Sequence, residues 1–424
     1  MTHRQVRRIV GSTVLGLALA VGASVALRGL DNNVSNSNAP SGYRGIVSAN
    51  FDGSDGNDEI IGDFGSAGVW FNRNWGVWVQ LTPLNPEWIF AVQWGDVGDW
   101  ELIADFGANG LWTWNFVSAP GNGTWTRLTA SNPDAGIAVD DDNDGRSELQ
   151  IDFGTLGLWH YDLDIGVWTR CTAIDPLPRS GLRADLWEFG YEEGVWQFSG
   201  LGVWDLGWDY RFDEPVWTQL TGSTATEDWA AANFVDSSGT DPNDELAVEF
   251  SGLGTWVYDS DGGNWNRITY SLAGGMATVR FGGDDEELVF ADSGSNLWAF
   301  YGPTWQRLTY TAMDAGFATP YDSDFLVSGE PGLERELAVD FGSVGLWRYN
   351  YGTGGLVTLD WQQLTVSNPV FMVRSDYFND GSPSCLVVSF GAGVGLWLYD
   401  SGSGYYSTRW LKLTDSVPDH GTGW

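Results

Sequence analysis

Residues 140–148 read Asp-Asp-Asp-Asn-Asp-Gly-Arg-Ser-Glu. Asp140, Asp142 and Asp144 fall on positions 1, 3 and 5, Gly145 allows a sharp turn, Arg146 offers a backbone carbonyl at 7, and Glu148 stands at 9. Calcium takes six to eight oxygens, and alternate residues of a tight loop can turn several oxygens toward one point. In an EF-hand the closing acid comes at position 12 and helices flank the loop. Here it comes at 9, between segments with strand patterning. The same odd positions are Asn50, Asp52, Ser54, Gly56 and Asp58 in one further loop, and Asp236, Ser238, Thr240, Pro242 and Asp244 in another. The chemistry they suggest is structural metal binding, with no redox, hydrolytic or phosphate-binding constellation beside it.

A second motif looks catalytic and is not. Asp-Phe-Gly occurs at residues 63–65, 105–107, 152–154 and 340–342, and Glu249 stands in for the Asp in a variant. Alone it would suggest a kinase metal corner, but no glycine-rich loop or catalytic-loop motif accompanies it. It recurs because it belongs to a repeat. A Gly-Leu-Trp tryptophan or its variant recurs at Trp70, Trp112, Trp159, Trp204, Trp256, Trp298, Trp347 and Trp397. A Trp-x-x-Leu-Thr motif begins at Trp78, Trp125, Trp168, Trp217, Trp265, Trp305, Trp361 and Trp410. Eight modules of about 46 residues follow, a period that signals stacked or radial repeats.

Each module reads as four short strands. In module three they are Gly136–Asp140, Leu149–Phe153, Leu158–Tyr161 and Val167–Thr172, with alternating apolar residues. Asn-Pro or a similar breaker leads to the next module. The expected fold is all-β: an eight-bladed β-propeller of four-stranded antiparallel blades over 43–414, or a seven-bladed one if module four fails to form. The Phe of Asp-Phe-Gly and the Trp of Gly-Leu-Trp are expected to fill the space between blades. The Asp is expected to accept hydrogen bonds from turn amides. The ring is expected to close without strand exchange, blade one against blade eight through Phe64, Phe390 and their tryptophans, leaving that seam the weakest junction.

The acidic loops in this setting resemble those of the FG-GAP/VCBS repeats of integrin-α-type propellers, which place a D-x-D-x-D-G-x-x-D calcium loop between the first two strands of a blade. The resemblance implies structural Ca2+ at Asp140, Asp142, Asp144 and Glu148, with the residues of modules one and five as weaker equivalents. It implies an interaction, adhesion or surface-assembly role, with protein or glycan partners or self-association into a fibre or layer. Asp-Phe-Gly stands where that family usually has Gly-Ala-Pro, and the loops of modules two, four, six, seven and eight are shortened or degenerate.

Composition bounds the rest. The 424 residues carry 56 acids against 20 Lys and Arg, a net charge of −36, which disfavours nucleic acid and anionic lipid as partners. Cys171 and Cys385 form no disulfide framework, and His3, His160 and His420 are too scattered for a His-based site. Residues 1–26 have an arginine-bearing start, an apolar run Ile9–Ala26 and small residues before a cleavage point after Ala26. They read as a signal peptide, or alternatively a membrane anchor, and place the chain outside the cell or on its surface. Residues 27–42 read as a flexible linker and 415–424 as a tail. Ten tryptophans outside the repeats, among them Trp88, Trp114, Trp196 and Trp229, leave a carbohydrate-binding propeller as the alternative. Catalysis, which would need asymmetric groups such as Asp185, Glu188, Glu192 and Glu193 of module four, is the least favoured.

Overall fold

The computed structural model describes residues 45–52, 57–73, 77–94, 100–116, 123–163, 165–178, 180–187, 191–209, 212, 214–225, 229–233, 243–270, 273–279, 287–292, 296–301, 304–309, 318–322, 335–350, 360–375, 377, 385–400 and 409–418. The expected signal segment and linker lie outside them. The described chain forms eight four-stranded antiparallel sheets, each from four consecutive strands in sequence order. This is an eight-bladed β-propeller. Module four forms a blade like the rest, with strands Leu182–Ala184, Glu193–Phe198, Gly202–Asp209 and Glu214–Thr221.

Blade three shows the pattern. Its strands are Ala135–Val139, Glu148–Asp152, Leu158–Asp162 and Val167–Arg170. The first two begin one residue before the alternation suggests, and the fourth stops two residues early. First strands of neighbouring blades touch one another, so they line the axis and the fourth strands lie outermost. Second strands are buried on both faces, polar residues such as Glu148, Gln150 and Asp152 included. In an up-and-down sheet the loops between strands one and two, and three and four, share one end of the ring. The turns between strands two and three share the other end with the links between blades.

Those turns carry Asp-Phe-Gly. In blades one, two, three and seven the Gly opens a short 3-10 turn, and the Asp accepts its amide hydrogen: Gly65, Gly107, Gly154 and Gly342 N–H donate to Asp63, Asp105, Asp152 and Asp340 Oδ1 at 2.8–2.9 Å. The Gly of Gly-Leu-Trp closes the turn at positive φ. At Gly110, with φ 84°, a Cβ would lie 2.1 Å from Thr129 O, so no other residue fits.

Both repeat tryptophans meet the junctions between blades, and the Trp-x-x-Leu-Thr indole, to which spacing assigned no place, spans them. The Phe of each turn packs edge-on or tilted against the Trp-x-x-Leu-Thr indole of its own blade, as in Phe64–Trp78, Phe106–Trp125, Phe153–Trp168 and Phe390–Trp410 at 5.2–5.6 Å. That indole reaches the preceding blade. Trp125, Trp168, Trp217, Trp265 and Trp361 Nε1–H donate to Leu81, Leu128, Cys171, Leu220 and Leu308 O, each the fourth residue of the previous blade's own motif. Trp305 and Trp410 pack beside Ile268 and Leu364, the corresponding residues at their junctions. The Gly-Leu-Trp indole is half-buried, and Trp112, Trp159, Trp204, Trp256, Trp298 and Trp347 pack against the core shared with the preceding blade. Its N–H caps its own turn, as from Trp112 to Asn109 O at 3.0 Å, and a cation stands over its ring in five blades: Arg127, Arg170, Arg267, Arg307 and Lys412 over Trp112, Trp159, Trp256, Trp298 and Trp397.

The ring closes without strand exchange, blade one (Ile46–Ala49 to Val77–Thr82) against blade eight (Phe371–Ser375 to Arg409–Thr414). Of the side chains expected at the seam, Phe64 and its partner Trp78 stand there and Phe390 does not. Phe390 packs toward blade seven, beside Ala338 and Leu346, because every such aromatic faces the preceding blade. Trp78 closes the seam, donating to Leu413 O at 3.1 Å. Ser48 Oγ–Ser375 Oγ at 2.8 Å and Tyr377 Oη–Asn72 Oδ1 at 2.9 Å add to it, with Ile46, Ile60, Phe371 and Val387 packed between. The closing seam thus has the same fastening as the other junctions.

Two outcomes follow. Trp78→Phe and Trp125→Phe keep the ring contact and remove the hydrogen bond, so each should cost about 1 kcal/mol in urea unfolding. Equal losses are expected at the seam and at the internal junction; a much larger loss for Trp78→Phe would mark the seam as a special weak point. The second concerns Asp105, whose carboxyl is pushed up to about 8 by burial first, with Glu87 and Asp134 adding to the rise and the Gly107 amide opposing it. A folded-state value above the unfolded one makes protonation favour the fold. The contribution is full at acid pH and is lost as pH rises from about 4 through about 8. Asp105→Asn should therefore flatten the fall in stability over that window and be more stable than the native chain at pH 8, measured by urea titration at pH 5 and pH 8.

Candidate metal centre

The loop between the first two strands of blade three folds around its own carboxylates. Asp144 N–H donates to Asp140 Oδ1 and to Asp142 Oδ1, both at 3.1 Å; Gly145 N–H donates to Asp140 Oδ2 at 3.0 Å and Arg146 N–H to Asp144 Oδ1 at 2.9 Å. Asn143 and Gly145 supply positive φ, at 58° and 87°, which Asn and Gly tolerate best. One oxygen from each of Asp140, Asp142 and Asp144 comes within 4.8 Å of the others. Three carboxylates so close repel unless a cation or protons intervene. Burial first, then Asp144, pushes the Asp142 carboxyl up to about 6; burial, followed by Glu192 and Asp144, raises Asp140. The donor set is all oxygen and the spacing suits a hard cation touching each at about 2.3–2.6 Å. These three side chains fit calcium. Arg146, at position 7, follows them in the loop, and its amide hydrogen is held by Asp144.

Glu148 stands apart from this group. It opens the second strand, is 3% exposed, and its Oε2 accepts from Asp141 N–H at 3.2 Å. Burial and the Asp141 carboxylate push its own carboxyl up. Glu59 and Glu193 do the same work, accepting from Asp52 and Leu186 N–H. The acid at this point is a loop clasp that the repeat uses in three blades. Beneath it Asp141 Oδ2 meets His160 Nε2 at 3.0 Å, and the His160 ring stacks on Trp208 at 4.0 Å between centroids. Spacing gave no sign of this buried pair; its only signal was a histidine on an otherwise apolar strand. Burial pushes the nearby Cys171 thiol up to about 12, in keeping with its place as a leucine substitute.

The other two loops differ from blade three. In blade one Arg73 Nη2 lies 2.7 Å from Asp52 Oδ2, a guanidinium at a carboxylate that the motif assigns to metal, and Asp58 Oδ2 accepts from Ser48 Oγ at 3.3 Å. Asn50 is half-buried at the loop's start; Ser54 and Gly56 lie outside the described residues. In blade five Asp244 turns to its neighbour, where its Oδ2 accepts from Asp185 N–H at 3.0 Å. Glu192 likewise caps Asp140 N–H at 2.8 Å, so these acids stitch adjacent blades near the axis. Asp236, Ser238, Thr240 and Pro242 lie outside the described residues. Of the tryptophans outside the repeats, Trp88, Trp114, Trp196 and Trp229 are buried as packing residues.

No family model matches the chain, and no curated protein matches it. Similar solved structures include BBS1N in complex with ARL6DN, at 9% identity over 84% of this chain and 90% of that one, TM-score 0.43. The Dos1 propeller matches at 11% over 70% and 76%, TM-score 0.44. Sqt1 of Saccharomyces cerevisiae matches at 10% over 73% and 82%, TM-score 0.45. The blade count rests on this chain's own eight sheets.

The geometry separates two roles that the loop motif joins. If calcium sits among the three aspartates, Glu148→Gln keeps an oxygen acceptor for Asp141 N–H and should retain the calcium-dependent rise in melting temperature. Asp142→Asn with Asp144→Asn should lose most of that rise. Loss of the calcium response in Glu148→Gln alone would restore Glu148 to the ligand set.

Proposed function

We propose that this chain is a secreted or cell-surface propeller of the FG-GAP/VCBS type, stabilised by calcium in the blade-three loop, that acts as an interaction module in adhesion or surface assembly and not as an enzyme. The carrying observation is the convergence of Asp140, Asp142 and Asp144 in the loop between the first two strands of a blade, the place where such repeats bind calcium. Bound there, the ion would tie the ends of the two innermost strands and neutralise their charge. A folded ring of eight rigid blades offers broad end faces for a protein partner or for another copy of the chain.

A glycan-binding reading is favoured by one feature, the half-buried Gly-Leu-Trp indoles repeated around the outer strands, five of them beside a cation. An indole with an adjacent donor is suited to stacking and hydrogen bonding with a sugar ring. Binding of the intact protein to a glycan array at several equivalent sites would support that alternative over a protein partner.

The test of the main reading is the fate of the native protein. Labelling of intact cells with a membrane-impermeant reagent, then terminal sequencing of the labelled or released chain, should find it outside the cell with Leu27 as its first residue. An unlabelled chain with an intact Met1 or Thr2 terminus inside the cell would sink the proposal.

A further inference from the structure

A second meeting of carboxylates lies in blade three at the opposite end of the ring from the Asp140 loop. The other blades show what normally occupies that place. After the fourth strand of blades one, two and seven, the Asn of Asn-Pro folds back over the Asp-Phe-Gly turn. With donor oriented to acceptor, the amide nitrogens of Asn85, Asn132 and Asn368 lie 3.0, 3.0 and 2.8 Å from Gly65, Gly107 and Gly342 O. They lie 3.1, 3.2 and 2.9 Å from Asp63, Asp105 and Asp340 Oδ1. One N–H2 group thus sits between a buried carboxylate and a turn carbonyl in each of the three blades.

Blade three departs from this at a single residue. Its breaker is Asp175-Pro176. The local backbone is otherwise the same: Ile174 N–H donates to Thr172 Oγ1 at 3.1 Å, as Leu84, Ser131 and Ser367 N–H donate to Thr82, Thr129 and Thr365 Oγ1. Asp175 therefore brings acceptors where its counterparts bring a donor. Asp152, 1% exposed, receives the Gly154 amide hydrogen on Oδ1, and among the described residues nothing donates to its Oδ2. Asp134 adds a third carboxylate against the same turn, where a Cβ on Gly154 would lie 2.5 Å from Asp134 Oδ2. One oxygen each of Asp134, Asp152 and Asp175 lies within 4.8 Å of the other two. Oxygens on opposite sides of one calcium ion stand about 4.8 Å apart. Blade two is the internal control: Glu87 lies against the Gly107 turn much as Asp134 lies against Gly154, but Asn132 supplies the donor there.

We propose that Asp134, Asp152 and Asp175 hold a divalent cation, calcium by their oxygen-only donor set, at the position that an asparagine amide nitrogen fills in blades one, two and seven. This site is separate in place and residues from the Asp140 loop, and the two rise or fall independently.

The experiment is calorimetric titration of the full chain with calcium chloride, with melting temperatures in chelator. Asp175→Asn restores the repeat pattern. It should bind one calcium fewer than the native chain and melt at a higher temperature in chelator, because an amide now satisfies Asp152. In the Asp142→Asn, Asp144→Asn background, which removes the loop, one binding event should persist and should vanish when Asp175→Asn is added; Asp134→Asn should weaken that same event. Equal calcium stoichiometry in the native chain and Asp175→Asn would overturn the proposal. So would a change confined to the pH dependence of melting between about 4 and 7, which would assign a shared proton to the trio instead.

Discussion

Each blade is fastened to its predecessor by one indole. The Trp-x-x-Leu-Thr ring lies across the junction with its edge or face against the Phe of its own turn, and in six of the eight blades its N–H bonds the neighbour's carbonyl. A flat sheet can slide on the next one; a directional bond at a fixed height cannot, so the bond sets the register between blades while apolar burial supplies most of the energy. The turn glycines serve the same end. Only a residue without Cβ lets the Thr carbonyl come so near that the fourth strand can carry its Trp to the correct height. Since the same residues stand at the closing seam, the ring needs no shared strand to complete it.

Burial of acids is the second theme. The turn carboxylates are enclosed yet accept backbone amides and, in several blades, an asparagine nitrogen, so each ion or proton has a local partner. At the other end Glu192 and Asp244 cap amides of the adjacent blade. Much of the buried negative charge thus performs hydrogen bonding that neutral residues do elsewhere, and five of the 20 Lys and Arg stand over the outer indoles.

The period of the two tryptophan motifs made the blade count and the four-strand module legible, and counting from Gly45 to Thr414 made the closure legible. Leu111, Leu158, Leu346 and Leu396 are fully buried, and the Trp after each, on the other face of its strand, is half-buried. The direction in which an aromatic leans, to the preceding blade and not the following one, has no counterpart in residue spacing; hence Phe390 was assigned to the wrong junction. Asp140, Asp142 and Asp144 converge as their alternation suggests, while Glu148 belongs to a clasp recognisable only when it is aligned by strand start with Glu59 and Glu193. The trio at Asp152 was invisible for another reason: each member sits in a motif that looks architectural, and the significant fact is one missing nitrogen.

The strand polarity that puts the first strand on the axis and the fourth at the rim also decides how the molecule is held. A first strand starts, and a fourth strand ends, at the same end of the ring, the one bearing the Asp-Phe-Gly turns. The backbone therefore arrives beside the axis at Gly45 and departs at the periphery after Thr414 without crossing to the far side. Any tether running through residues before Gly45 attaches to that side alone. A chain held through those residues would have its aspartate-rich loops at the end of the ring away from the point of attachment, and the Trp–Arg ends of the outer strands at the near end.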